Sequence, residues 1–257
     1  MTKRLRIDWP PLVLLAILIL AWEIAPRLTG STNFPPFSAV VAALLQNGGK
    51  LFFETLHTLR RAAIGFLIAL VTMIPFGILV GRSKLLADLV EPIIDLLRPL
   101  PPLAIVPVVM LFAGIGDLSK ISVITYAACF PILIHAIDGV RGIHPMYSQV
   151  ARSLRLTRLE RLARVDLPAV LPVIFTGVRL AVANALLVAV TTEMLLSSNG
   201  IGLFILQSQE RFQVANGMAG ILVVAVLGWI VNRAILSVDR RLLGWHYATT
   251  GDLAGRG

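Results

Sequence analysis

The sequence predicts an all-α polytopic membrane protein with about six transmembrane helices, and three observations carry that prediction. Of 257 residues, 57% are hydrophobic and only 14% are charged. Mean hydropathy is +0.84, and the apolar stretches are too long to be packed helices of a small globule. The charges, net +9, fall in short clusters between those stretches. That distribution argues against nucleic-acid binding, because no basic-aromatic surface tracks a phosphate backbone. Loops facing anionic lipid explain the positive balance better. The single cysteine, Cys129, allows no intramolecular disulfide and no cysteine metal site.

Residues 1–50 form an N-terminal unit. Lys3, Arg4 and Arg6 precede an apolar stretch from 9 to about 28, read as the first span, entering from the cytoplasm. A signal peptide begins the same way, but no small-x-small site follows and the run reaches roughly 20 residues. Glu23 lies near its outer end, where an interface accepts a charge. Phe34-Pro35-Pro36-Phe37-Ser38 then breaks the chain and opens a short amphipathic segment to about Leu45, with Ser38 as its N-cap. Asn47-Gly48-Gly49 marks a turn over 46–50.

Residues 51–245 form the core. An amphipathic stretch, 51–61, leads into the second span, 62–80, which contains Pro75; Gly77 and Gly81 are spaced for close helix approach. Arg60 and Arg61 then fall at the outer mouth, against the inward bias of positive charge. Charge returns over 81–91. The third span holds Arg98-Pro99-Leu100-Pro101-Pro102 and Pro107, and no regular helix runs through so many prolines. Broken backbone at membrane depth needs cover from protein or a water-lined cavity, and transporters use such breaks in their pathways. A proline-kinked packing helix is the alternative. Asp95, one turn before Arg98, suggests mutual neutralisation.

An outer loop spans 113–120 and the fourth span 121–137, with His135 read as packed or interfacial rather than a ligand. The fifth span, about 170–195, contains Pro172, Gly177, Arg179 and Glu193. Arg179 either faces a water-filled route suited to an anion or snorkels to the inner leaflet. Glu193 reads as interfacial or as part of a gate. An outer loop over 197–217 and a sixth span over 218–238 follow, and 246–257 is a polar tail. Six spans put both termini in the cytoplasm, and the excess of Lys and Arg lies on the inner segments. Five spans remain open if the third is re-entrant.

The most polar stretch is 147–168, where Arg152, Arg155, Arg158, Arg161 and Arg164 recur at every third position. A three-residue step falls back about 60° on an α-helix, so one straight helix would keep no dry face. Two short helices with a turn between them let Val150, Leu154, Leu159, Leu162 and Val165 share a side. Leu167-Pro168 then ends the second helix.

Catalytic signatures are missing. There is no GxxxxGK[ST] loop, H-E-x-x-H or G-x-S-x-G, and His57, His135, His144 and His246 lie in four different segments. The sequence predicts no enzyme and no cofactor bound by this chain.

The 147–168 stretch resembles the EAA loop of importer-type ABC transporter permeases, whose core is MetI-like. Gln149-Val150-Ala151 stands at the triplet, Arg152-Ser153-Leu154 follows, and Leu167-Pro168 falls at the expected spacing. Gln149 replaces glutamate, Val150 alanine, and Arg155 the glycine that suits a left-handed turn. Further segments, in order, resemble the nitrate, sulfonate and taurine branch: FPPFSAV from Phe34, RPLPPLA from Arg98, GIGDLSK from Gly114, FPIL from Phe130, TGVRLA from Thr176 and GIG from Gly200.

The resemblance implies an inner-membrane homodimer, a cytoplasmic ABC ATPase dimer that binds ATP and Mg, and a periplasmic substrate-binding protein. It implies alternating access for a small solute, with the loop that runs to Leu167 and Pro168 docking on the ATPase: Leu154 and Leu159 fill its groove and the arginines meet its acidic rim or lipid phosphates. A pathway past Arg98, Pro101, Pro102, Arg179 and Glu193 is expected for an anionic solute. A secondary transporter, which would need buried acidic residues for ion coupling, and an intramembrane enzyme are the other classes.

Overall fold

The computed structural model describes residues 9–30, 34–196 and 199–244, apart from the side chains of residues 9–12, 148, 158 and 159. Among them every regular element is helical, as the composition predicts. The order is α1 (Trp9–Thr29), α2 (Phe37–Gln46), α3 (Gly48–Arg82) and α4 (Lys84–Leu97). A 3-10 turn (Pro102–Ile105) runs into α5 (Val106–Ala113), followed by α6 (Asp117–Arg141), α7 (Pro145–Ser153) and α8 (Arg158–Arg161). A π-helical turn (Leu162–Asp166) leads into α9 (Leu167–Leu196), and α10 (Ile201–Glu210) and α11 (Val214–Leu242) complete the chain.

Among the described residues, four helices are long and apolar enough to cross a membrane: α3, α6, α9 with its π turn, and α11. A fifth is formed if α4 and the 102–113 segment count as one span, bent by 92°. Helix α1 adds 21 residues, most of them apolar. The third expected span is therefore bent sharply and is not one straight helix. It also begins earlier than its prolines suggest. Residues 84–97, charged in sequence, are helical because Lys84, Asp88, Glu91 and Asp95 recur on one face, while Ala87 and Ile94 are buried.

Three other expectations change. Ser38 is not an N-cap: Pro36 takes that place, and Ser38 donates its backbone N–H (2.8 Å) and hydroxyl (2.9 Å) to the Glu23 carboxylate. The 46–50 turn shrinks to Asn47, whose side-chain amide donates to the Ala43 carbonyl at 2.9 Å. The two outer loops are shorter than expected, since α6 starts at Asp117 and α10 fills much of 197–217.

The centre of the molecule is α3, α6 and α9. Small residues let these helices meet at their backbones. A Cβ on Gly77 would lie 2.6 Å from the Ala136 Cβ, and one on Gly81 2.9 Å from the Val140 Cβ. The expected close approach is thus made against α6. Ala69, Ile124, Ala128, Ile132, Ala181 and Ala189 fill the interior between them. His135 is packed, with Nδ1 2.8 Å from the Pro131 carbonyl.

Candidate functional site

The 145–166 segment folds as two short helices and a turn. His144 caps α7, its Nδ1 accepting from the Met146 N–H at 3.2 Å. The helix closes in a pair of backbone bonds, from the Leu156 N–H to the Ala151 carbonyl (3.1 Å) and from the Arg155 N–H to the Arg152 carbonyl (3.0 Å). This closure needs a left-handed residue at its fifth position, normally glycine. Arg155 occupies it with φ +52°. The turn of the glycine-bearing loop is kept by an arginine, at a cost of about 1–2 kcal/mol for the left-handed conformation.

Thr157 and Glu160 then form a reciprocal cap. The Thr157 N–H donates to the Glu160 carboxylate at 3.0 Å, the Thr157 hydroxyl donates to it at 2.8 Å, and the Glu160 N–H donates back to that hydroxyl at 3.3 Å. The Thr157 N–H, and then its hydroxyl, hold the Glu160 carboxyl below the usual carboxylate range. The T-x-x-E spacing at 157–160 is the signal that reveals this cap in the sequence.

The second helix does not stop at Leu167-Pro168. The Leu167 N–H reaches back five residues to the Leu162 carbonyl, and Pro168 sits in the first turn of α9. A proline is tolerated there because first-turn N–H groups are largely unused, and the π turn shifts the hydrogen-bond register just before it.

The apolar residues expected on one side of this loop divide. Ala151 is 1% exposed and anchors α7, whereas Leu154 is 65% exposed. Met146, Tyr147 and Val150 are also exposed, and with Leu154 they fall within about 100° of the helix circumference. Met146 and Tyr147 were not expected in this patch. Leu162 and Val165 are half-buried, and the side chain of Leu159 lies outside the described residues. Gln149, Arg152, Ser153 and Arg155 are exposed around the patch, Leu167 is exposed at the start of α9 and Pro168 is half-buried.

Asp166, absent from the expected site, is buried at the base of the loop and paired with Arg82 at the end of α3; Arg161 Nε lies 3.5 Å from the same oxygen. The residues expected along a pathway do not converge. Arg98 and Pro101 are exposed and Pro102 is half-buried. Arg98 and Pro102 line a cavity of about 330 Å³ with Tyr126, His135, Leu180 and Asn184. The Tyr126 hydroxyl donates to the Leu97 carbonyl at 2.7 Å, tying the corner to α6. Asp95 and Arg98 make no ion pair among the described residues; the bridge in their neighbourhood is Arg141 to Glu91. Arg179 is exposed and lines a different cavity, about 270 Å³, between α9 and α11.

Glu193 is neither interfacial nor in these cavities. It is 0% exposed at the end of the bundle far from the loop. It accepts from Thr58 Oγ1 at 2.7 Å, from Arg61 at 2.6 Å and from the Gly202 N–H at 3.2 Å. Arg61 also meets Asp117 at 2.8 Å and donates to the Asn199 carbonyl at 3.1 Å. Arg60 pairs with Asp117 at 2.5 Å. Asp117 and Glu193 thereby pair with Arg60, Arg61 and Lys120, which accounts for the anomalous charge at this end, while Glu54 accepts from the Gly200 N–H. Gly200, with φ +114°, passes so close to the Glu193 carboxylate that no side chain fits there.

This arrangement, helices packed through small residues with a capped polar hairpin between the two longest-buried ones, has known counterparts. Residues 73–244 match the family described as the binding-protein-dependent transport system inner membrane component. The chain belongs to this family. The taurine transport system permease protein of Escherichia coli is 30% identical over 95% of this chain and 95% of its own. The bicarbonate transport system permease protein of Synechococcus elongatus is 33% identical over 88% and 86%. The nitrate import permease protein of Synechocystis sp. is 31% identical over 89% and 87%. An inward-facing MetNI methionine ABC transporter chain shares the fold, with a TM-score of 0.66 at 17% identity over 75% of this chain and 96% of that one. The permease is therefore a membrane subunit of an ABC importer of the MetI-like type and not an enzyme. A secondary transporter and an intramembrane enzyme are set aside.

Proposed function

We propose that the permease works as a homodimer in the inner membrane, with both termini cytoplasmic, and carries a small anion inward by alternating access. A periplasmic binding protein delivers the solute, and a cytoplasmic ATPase dimer, which binds ATP and Mg, docks on the 145–166 loop. The observation that carries this reading is the exposed face of Met146, Tyr147, Val150 and Leu154 on a doubly capped helix ringed by arginines. An apolar patch on a charged element suits a protein groove with an acidic rim. The anionic solute is supported by the relatives that handle bicarbonate and nitrate, by the sulfonate group of taurine, and by Arg98 in the 330 Å³ cavity. Pairing of Arg60 and Arg61 removes free positive charge from the far end, which supports placing the arginine-rich loop in the cytoplasm.

Leu154→Asp tests the docking. The side chain is exposed, so the permease should fold as before, within about 0.5 kcal/mol. The ATPase subunits should no longer co-purify with it, and uptake should be lost. Retention of both would remove the loop from the coupling role. Ala151→Asp is a poorer probe, because that position is buried and the change would damage the fold as well.

A further inference from the structure

We propose that Arg82 and Asp166 form a brace that transmits displacement of the 145–166 loop to α4 and the cavity behind Arg98. The proposal rests on that loop being the ATPase-docking element.

The loop holds two acidic residues, Glu160 and Asp166, among its many arginines. Glu160 is spent on the cap of α8. Asp166, 5% exposed, reaches instead to Arg82, a residue 84 positions earlier. Its other oxygen, Oδ1, is buried and has no partner among the described residues. The paired oxygen is held by Arg82, with Arg161 Nε farther off at 3.5 Å, and of the two only Arg82 lies outside the loop.

The place where Arg82 acts gives the pair its mechanical meaning. Arg82 is the last residue of α3, and Ser83 is the one extended residue (φ −116°, ψ 112°) separating α3 from α4. A force on Arg82 is thus applied where the helix is interrupted. Behind that break α3 cannot yield readily, since Gly77 and Gly81 seat it on α6 and Arg61–Glu193 pins it to α9 farther back. Ahead of it α4 has few buried residues, Ala87 and Ile94, and leads to Arg98 and the 92° bend. The π turn bearing Asp166 is the weak joint between α8 and α9, as its hydrogen bonds run in the less favourable five-residue register. Asp166 lies in this joint, so its pair with Arg82 ties the turn to the end of α3 and passes movement of the loop on to α4.

The test uses the complete transporter, in a Cys129→Ser background, with spin labels on the exposed positions 96 of α4 and 195 of α9. The probe is Mg-ATP, and the readouts are co-purification of the ATPase and the ATP-driven change in the distance between labels. Arg82→Ala should keep the ATPase bound while the shifted population falls about tenfold. Arg82→Lys should retain part of the shift, and the exchange Arg82→Asp with Asp166→Arg should restore it. A normal shift in Arg82→Ala, no shift in the wild type with ATPase bound, or an exchange that fails to restore would overturn the brace. Failure of the wild type to hold the ATPase would overturn the docking reading and the brace with it. If Arg82→Ala does not assemble, the exchange variant still decides.

Discussion

The two ends of the α3–α6–α9 bundle handle charge in opposite ways. At the far end Arg61 is 2% exposed and Glu193 is fully enclosed, and the acids and bases there satisfy one another within the chain. At the loop end arginines line an exposed apolar patch, and Asp166 Oδ1 has no partner among the described residues. A closed network holds the shape of one end, whereas the other end presents an exposed apolar face among charges, which is where we propose that the ATPase docks. The contrast teaches that buried charge is self-contained at one end and only partly satisfied at the other, where a removed partner would be felt most directly by the loop.

The largest expected effect is at the closed end. Glu193→Ala strands Arg61 in the interior and should destabilise the purified permease by about 3–5 kcal/mol in thermal unfolding. Glu193→Gln retains acceptors for Thr58 and Gly202 and should cost less. A Glu193→Ala protein as stable as the wild type would show that the network does not hold this end together.

A smaller effect, of opposite sign, belongs to the loop. Arg155→Gly relieves the left-handed strain and should stabilise the turn by about 1 kcal/mol. Exchange of the Leu156 amide, which closes the turn, should slow about fivefold. No slowing would mean that the φ of +52° carries no penalty here. The smallest effect is the pH response of the Thr157–Glu160 cap. Because the folded carboxyl lies below its unfolded value, the cap contributes above the unfolded carboxylate pKa and is lost as pH falls through the folded one. Exchange of the Thr157 amide, corrected for its intrinsic rate, should rise over that acid range in the wild type and stay flat in Glu160→Gln.

Much of this was readable from the chain. Apolar runs located the long helices, and the small residues at 77 and 81 announced a close helix approach without saying which helix would make it, because both signals depend on spacing along one helix. The capping pair at 157–160 was equally local, although its T-x-x-E spacing was passed over. The corner at 98–105 was visible as prolines but not as a 92° bend, since prolines forbid a straight helix without choosing the new direction. Pro168 misled for a related reason: a proline marks a helix boundary without saying which side of it is helical.

Sequence alone determined what is local to this protein: the apolar segments, the basic hairpin and the motifs that tie it to its family. Tertiary structure alone decided which charges meet. Glu193 looked like an interfacial residue and Arg61 an anomaly until folding joined them across 132 positions, and Asp166 was one acid among arginines until it reached Arg82. Hydropathy and helix periodicity act over a few residues. An ion pair forms only where two helix faces come into contact, and that contact is set by the packing of the whole bundle.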